Sequence, residues 1–151
     1  MNSNCRASSF SHRRNQDRDQ QKMIYPKSTL PQILERAAAN APDSPALIYF
    51  GSRISYRQLR DHVNRCAAGL QTLGVQKGDR VALMMPNCPQ FVIAYFGVLR
   101  AGAIVTATSS MYTAREAGHQ WHDAGAKIVI ADRRLYPVVH ATVPQVPSLQ
   151  H

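Results

Sequence analysis

The sequence offers little material for covalent cross-links or for a membrane span. Its three cysteines, Cys5, Cys66 and Cys88, are an odd number without a C-x-x-C spacing. This disfavours a disulfide framework and a cysteine-rich zinc site, and it indicates a reducing compartment, the cytoplasm. The longest apolar run, residues 91–99, ends at Arg100. Because a membrane-spanning helix needs roughly 18 apolar residues, no transmembrane segment is predicted.

The two common glycine-rich phosphate-binding patterns, GxxxxGK[ST] and GxGxxG, are also missing. Residues 97–102 are most similar to the first pattern, but Ala103 stands where the lysine would be. A helix that ends at a glycine explains this segment. His119, His122 and Asp123 could be metal ligands, since residues three apart share one face of a helix. A polar, exposed helix surface explains them better, so no metal site is expected.

Acidic residues are few: 18 Lys and Arg face 9 Asp and Glu, a net charge of +9. Residues 1–22 hold five basic and two acidic residues and almost no apolar ones, which predicts a disordered basic extension. An organelle transit peptide is the alternative, although Asp17 and Asp19 argue against it. Met23, where the ordered pattern begins, could be the true start.

The basic character raises nucleic-acid binding as a hypothesis. Arg57, Arg60 and Arg65 fall on the polar side of one predicted helix, interleaved with Asp61. No aromatic stacking motif accompanies them, and arginines on a helix usually form a solvated face. Nucleic acid is therefore not a predicted partner.

What the sequence does contain is a regular alternation of helices and strands in a chain with 44% apolar residues. Three capping boxes, in which Ser or Thr is followed three residues later by Gln or Glu, predict helices that begin after Thr29, Ser55 and Thr113. Asn87 is predicted to cap another helix in the same way. Strands are predicted at 80–84, 103–106 and 127–131, and a hairpin is predicted from 46–50 and 53–55, with Gly51-Ser52 as a type II′ turn.

Helical spacing predicts which side chains face the core. The predicted apolar faces comprise Leu30, Ile33, Leu34, Ala37 and Ala38 in the first helix, Leu59, Val63, Cys66, Leu70 and Leu73 in the second, and Phe91, Val92, Tyr95, Phe96 and Leu99 in the third. Cys66 and Cys88 are both interpreted as small hydrophobic residues of helices. Gly74 and Gly125 are expected to end helices in the left-handed conformation.

The pattern predicts an α/β fold, a mostly parallel sheet flanked by helices. After Tyr136 no capped helix or finished strand is predicted, so the sheet is expected to be cut rather than completed. From residues and spacing alone, no active site emerges.

Four segments resemble motifs of adenylate-forming enzymes. Residues 54–59 (ISYRQL) resemble the (L/I)-(T/S)-Y-x-(E/Q)-L element, and residues 73–82 (LGVQKGDRVA) resemble LGV-x-x-GD-x-VA. Residues 85–91 (MPNCPQF) are similar to PN-x-P-(E/Q)-F, and residues 99–103 (LRAGA) to L-K-A-G-A. Their order and separations also match. The chain thus resembles the N-terminal part of an AMP-forming acyl-CoA synthetase.

A further segment, from Met111 to Lys127, resembles the YT-x-RE-L-x-HQL-x-D-S-GA-K stretch of fatty acyl-CoA ligases. It departs from that pattern at Ala117-Gly118, where Leu-Glu is usual, and at Trp121, where Leu is usual. A glycine inside a helix costs about 1 kcal/mol relative to alanine, which Trp121 could offset by packing. The departures leave the acyl-chain length open.

The resemblance implies ligation of a fatty acid to coenzyme A, with ATP and Mg²⁺, through an acyl-adenylate. The family's phosphate loop, Tyr-Gly-x-Thr-Glu element, ribose-binding Asp and C-terminal Lys have no counterpart here. No catalytic, cofactor-binding or metal-binding residue is therefore assigned. Residues 23–151 are expected to be a partial AMP-binding (adenylation) domain, truncated before the phosphate loop, inactive by itself and prone to self-association. The alternatives are a non-catalytic α/β binding module and a basic nucleic-acid-binding domain.

Overall fold

The computed structural model describes residues 27–151. The predicted basic extension, residues 1–22, and the candidate start at Met23 lie outside the described residues. The helices are α1 (Leu30–Asn40), α2 (Tyr56–Thr72), α3 (Pro89–Arg100), α4 (Ala114–Ala124) and α5 (Tyr136–Thr142). The strands are β1 (Pro45–Tyr49), β2 (Ser52–Ser55), β3 (Arg80–Met84), β4 (Ile104–Thr108) and β5 (Ala126–Ala131). In this part of the chain, no helix is both long enough and apolar enough to cross a bilayer.

Local capping chemistry sets where most of these helices begin. The capping boxes predicted at Thr29, Ser55 and Thr113 are all present, with both reciprocal hydrogen bonds. The prediction for α3 was wrong, because Cys88 rather than Asn87 is the N-cap and it makes no side-chain cap bond. Pro89 in the first turn compensates in part, since it has no N–H to satisfy.

Strands β1 and β2 form the predicted antiparallel hairpin, with a different turn. Tyr49 pairs with Ser52, so the loop residues are Phe50 and Gly51 rather than Gly51 and Ser52. Phe50 has φ 44° and Gly51 has φ 79°. Positive φ at both central residues is the type I′ arrangement, not type II′, and its twist matches that of the flanking strands. The turn geometry thus places a phenylalanine where glycine or asparagine is usual.

The other three strands form a parallel sheet in the order β4-β3-β5, as the fold prediction requires. The connection through α3 leads from β3 to its neighbour β4, and the connection through α4 passes back across β3 to β5. Right-handed crossovers in opposite directions place α3 and α4 on opposite faces of the sheet. Central strand β3 is buried on both sides, and Val81 and Leu83 contact the α2–α3 side while Ala82 and Met84 contact the α4 side.

The helix faces that reach the core are narrower than the periodicity predicts. On α1 only Leu34 and Ala38 are buried, while Leu30 and Ile33 remain exposed. On α2, Ala67 is buried whereas Leu73 lies exposed past the last turn. Helix α3 lies between two clusters, so its fully buried residues are Ala94, Gly97 and Val98, and the aromatic residues predicted to face the core are only partly buried.

The segment after β5 is more structured than predicted. Helix α5 follows a short 3-10 turn, Arg133–Leu135, and a second one, Val143–Gln145, comes after it. Val146 is fully buried against the α4 side of the sheet. Backbone N–H groups of Gln150 and Val129 donate to the carbonyls of Lys127 and His151, at 2.8 and 3.0 Å. A short helix therefore forms here, although it has no side-chain cap bond.

Candidate functional site

The carboxyl ends of β3, β4 and β5 meet at one edge of the sheet, which is where open α/β sheets bind ligands. The residues that follow these strands are 85–87, 109–111 and 132–134. Because α3 and α4 leave this edge on opposite faces, a crevice forms there that no helix fills. We call this feature the carboxyl-edge crevice.

The first part of the crevice is a cleft of about 440 Å³ between the ends of β3 and β4. Its polar side chains are Asn87, Thr108, Ser109 and Ser110, and its apolar walls are Met85, Pro86, Phe91, Ala107 and Met111. The Ser109 hydroxyl accepts a hydrogen bond from the Met111 N–H at 3.2 Å, which shapes the loop after β4. The cleft therefore offers hydroxyl and amide groups between apolar surfaces.

The second part is a pocket of about 190 Å³ beside the end of β5, lined by Pro86, Ser110, Asp132, Arg134 and Leu135. The Arg134 Nε and Nη2 donate to the two carboxylate oxygens of Asp132, each at 2.9 Å. This side-chain pairing, followed by the Arg134 backbone N–H, lowers the pKa of Asp132 to about 2. Asp132 is therefore ionised at neutral pH and already has its counter-ion.

A buried tryptophan supports the crevice from below. Trp121 is fully buried, and its Nε1–H donates to the Thr108 hydroxyl at 2.8 Å. The Gln120 amide donates to the carbonyl of Ala107 at 3.1 Å. The two side chains together hold the end of β4 against α4. The departure from the family pattern at position 121 is thus accommodated by a specific hydrogen bond.

The crevice residues can bind neutral polar groups, but they do not fit a triphosphate. Among the described residues that line it, Arg134 is the only cation, and Asp132 neutralises it. None of these residues is a histidine, and the one carboxylate is engaged, so the serine hydroxyls have no adjacent base. No nucleotide-transfer step is assigned to this chain's residues.

The histidines considered as metal ligands lie elsewhere, on the exposed face of α4. His119 Nε2 is 3.5 Å from Asp123 Oδ2, and His122 Nδ1 is 3.8 Å from Asp123 Oδ1. Within residues 27–151, no group of three His, Cys, Asp or Glu side chains is arranged to hold a metal ion. The structure places these residues as a solvated helix surface.

The two described cysteines differ in position. Cys66 is half-buried between α2 and α3, where burial raises the pKa of its thiol. A raised pKa leaves little thiolate at neutral pH, so Cys66 acts as a core residue, as predicted. Cys88 is not a helix residue, contrary to the prediction, because it precedes the first turn of α3.

Two of the three arginines on α2 have acidic partners. Arg57 pairs with Asp43 at 3.1 Å, and Arg60 pairs with Asp61 at 3.3 Å. Arg65 contacts the ring of His62 at 2.9 Å. Arg57 and Arg60 are therefore ion-paired, whereas Arg65 keeps an unneutralised charge beside a histidine ring.

No residue of the carboxyl-edge crevice was predicted as a site residue, although the sequence contains a signal for it. Asp132 directly follows the strand predicted at 127–131, and Ser109 and Ser110 come shortly after the strand predicted at 103–106. Polar residues at the carboxyl ends of parallel strands share one edge, so their positions could have identified the candidate site. The Arg134 pairing could not have been foreseen, because it depends on the 3-10 turn after β5.

Comparison with known proteins defines the family. Residues 34–151 match the family described as AMP-binding enzyme. The chain is 44% identical over 112 residues to a long-chain-fatty-acid–CoA ligase of Bacillus subtilis, covering 74% of this chain and 20% of that protein. It is 49% identical over 104 residues to a long-chain-fatty-acid–CoA ligase of Yersinia pestis, covering 68% and 18%.

A solved structure agrees with these sequence matches. The anthranilate CoA ligase AuaEII in complex with anthranoyl-AMP superposes with a TM-score of 0.77 at 25% identity, covering 80% of this chain and 23% of that one. The chain spans about a fifth of the length of the relatives it matches. The resemblance found from the four motifs is confirmed, and the chain belongs to the AMP-binding enzyme family, of which it represents the N-terminal portion.

Proposed function

We propose that this chain supplies the N-terminal portion of an ATP-dependent, AMP-forming fatty acyl-CoA ligase. The observation that carries the proposal is the 44% identity over 112 residues with the Bacillus subtilis long-chain-fatty-acid–CoA ligase. In the complete enzyme a fatty acid carboxylate would attack ATP, with Mg²⁺ bound, to give an acyl-adenylate and pyrophosphate. Coenzyme A would then displace AMP. Free Cys66 and Cys88 support a reducing, cytoplasmic compartment.

The role of this portion is structural support for a binding edge. The sheet β4-β3-β5 presents hydroxyls of Ser109 and Ser110 and the amide of Asn87 at the crevice. The Asp132–Arg134 pair closes one end of that crevice without leaving a free charge. Since no described residue there is an unpaired cation, the nucleotide phosphates must be bound by other residues of the complete enzyme. By itself the 151-residue chain is therefore proposed to be inactive.

Two measurements test these statements. The purified chain, supplied with ATP, Mg²⁺ and a fatty acid, should show no fatty-acid-dependent ATP–pyrophosphate exchange. Clear turnover would overturn the proposed inactivity.

The family role is tested in a chimera. The matched 112-residue segment of the Bacillus subtilis ligase is replaced by the corresponding segment of this chain, and fatty acyl-CoA formation is measured. Activity in the chimera is expected, because the crevice geometry should be conserved through the exchange. The matched negative control carries Trp121→Asp, which buries a charge beneath the crevice. A folded but inactive chimera would favour a non-catalytic binding module.

A further inference from the structure

The tip of the β1–β2 hairpin is an apolar projection that is largely exposed. Phe50 is 92% exposed, Ile48 is 64% exposed and Tyr49 is 39% exposed. The rings of Tyr49 and Phe50 contact each other edge to face, with centroids 4.5 Å apart. We call these three residues the hairpin tip. A contiguous exposed apolar patch of this kind commonly marks an interaction surface.

The backbone holds this projection outward. Phe50 has φ 44°, a left-handed conformation that bulky residues rarely adopt. Below the tip lies an apolar groove of about 270 Å³, lined by Leu47, Tyr49, Pro89, Phe91 and Val92, among others. The Phe50 ring does not fold back to fill it. The turn therefore keeps an aromatic side chain in solvent at the expense of backbone strain.

The electrostatic surroundings of the tip are positive. Arg53 is exposed on β2 as the register partner of Ile48, and the segment 45–55 contains no acidic residue. The whole chain carries a net charge of +9. Such a surface attracts an anionic partner and repels a second copy of itself.

The size of the tip also limits what can cover it. Phe, Tyr and Ile of these exposures present roughly 400 Å² of surface, given roughly 200 Å² for a whole side chain. A stable protein interface buries about 800 Å² on each partner. A narrow convex projection is therefore too small to hold a protein partner by itself, whereas a bilayer interface accepts small apolar insertions beside basic residues.

We propose that the hairpin tip, Ile48, Tyr49 and Phe50, inserts into the interface of an anionic lipid bilayer, with Arg53 contacting lipid headgroups. The tyrosine ring suits this depth because it has an apolar body and a polar hydroxyl. The contact is peripheral and needs no rearrangement of the sheet. It does not depend on ligase activity, so it can fail or succeed separately from the proposed function.

The test is co-sedimentation of the full 151-residue chain with vesicles of phosphatidylcholine alone or mixed with phosphatidylserine. Binding to the anionic vesicles is expected, and Phe50→Asn should weaken it roughly tenfold because the largest apolar group is lost. Asparagine tolerates the left-handed conformation, so this variant keeps the turn. Arg53→Gln should weaken binding about fivefold. Residues 1–22 are identical in all variants and add a constant background.

The matched controls are Leu73→Ser and Arg65→Gln. Leu73 is 46% exposed at the end of α2. It adjoins Gly74, whose carbonyl accepts a hydrogen bond from Lys127 at the start of β5. Replacing Leu73 should therefore not affect vesicle binding. Absence of binding to anionic vesicles, or binding that Phe50→Asn leaves unchanged, would refute the proposal. A concentration-dependent dimer that Phe50→Asn abolishes, without vesicle binding, would assign the tip to self-association instead.

Discussion

The strained turn at Phe50 leads to a stability prediction that can be worked out from the structure. A non-glycine residue in the left-handed region costs roughly 1–2 kcal/mol, and asparagine is among the residues that bear it best. Phe50→Asn gives the Asn-Gly pair preferred in type I′ turns. The ring of Phe50 is 92% exposed, so little burial is lost. Losing the contact between the Phe50 and Tyr49 rings costs about 0.5 kcal/mol of stability.

The net expectation is that Phe50→Asn stabilises the protein by about 1 kcal/mol. Stabilisation of that size raises the Tm by about 3–5 °C in a domain of this length. Thermal unfolding followed by far-UV circular dichroism measures it, at low protein concentration so that self-association does not contribute.

Phe50→Ala is the matched control. It removes the same ring, but alanine does not tolerate the left-handed conformation at φ 44° as asparagine does. It should be less stable than Phe50→Asn and no more stable than the wild type. If both variants shift the Tm equally, the effect comes from the ring and the reasoning from backbone strain is refuted.

Three further outcomes are expected. Gly97→Ala should destabilise the protein by about 1–3 kcal/mol, measured by urea unfolding, because the new Cβ would lie 2.6 Å from Cys66 Sγ and 2.8 Å from Cys66 Cβ. Adding Cys66→Ala should restore only part of the lost stability. A urea midpoint that Gly97→Ala leaves unchanged would contradict the close packing. Trp121→Phe should cost about 2–3 kcal/mol by the same assay, because the Thr108 hydroxyl loses its donor and a cavity forms; Trp121→Tyr would then show whether a polar ring restores any of it. The pKa of Asp132 is about 2, below its ordinary value of 3.8, so its pairing with Arg134 stabilises the fold fully above pH 4 and this stabilisation is lost as the pH falls through 2. Asp132→Asn should flatten the acid dependence of the free energy of unfolding in that window. An acid profile identical to that of the wild type would show that the pair does not contribute.

Much of the fold follows from local chemistry that the sequence displays. The reciprocal hydrogen bonds of Thr29, Ser55 and Thr113 involve residues three apart, so the helix starts were predictable. The start of α3 was not, because Cys88 occupies the cap position despite the adjacent Asn87. The hairpin was predictable from its flanking strands. Its turn was not, because Tyr49 pairs with Ser52 and the loop lies one residue earlier than predicted.

The candidate site shows the same division. Ser109, Ser110 and Asp132 are polar residues that follow strands of the sheet, which the sequence displays. The pairing of Asp132 with Arg134 depends on the 3-10 turn after β5, and the support of Thr108 by Trp121 depends on a contact between α4 and β4. Periodicity could not show that α3 lies between two clusters, and so it overestimated how far its aromatic side chains are buried.

The sequence by itself determined the family and the order of helices and parallel strands, because motifs, caps and the alternation of apolar residues are local properties of the chain. Only the tertiary structure decided which ends of the strands meet, that the one cation in the carboxyl-edge crevice is already paired, and that Phe50 stands in solvent on a strained turn. The first of these features depends on pairing between residues far apart in the chain, and the other two depend on backbone conformations of turns that the residue pattern does not reveal.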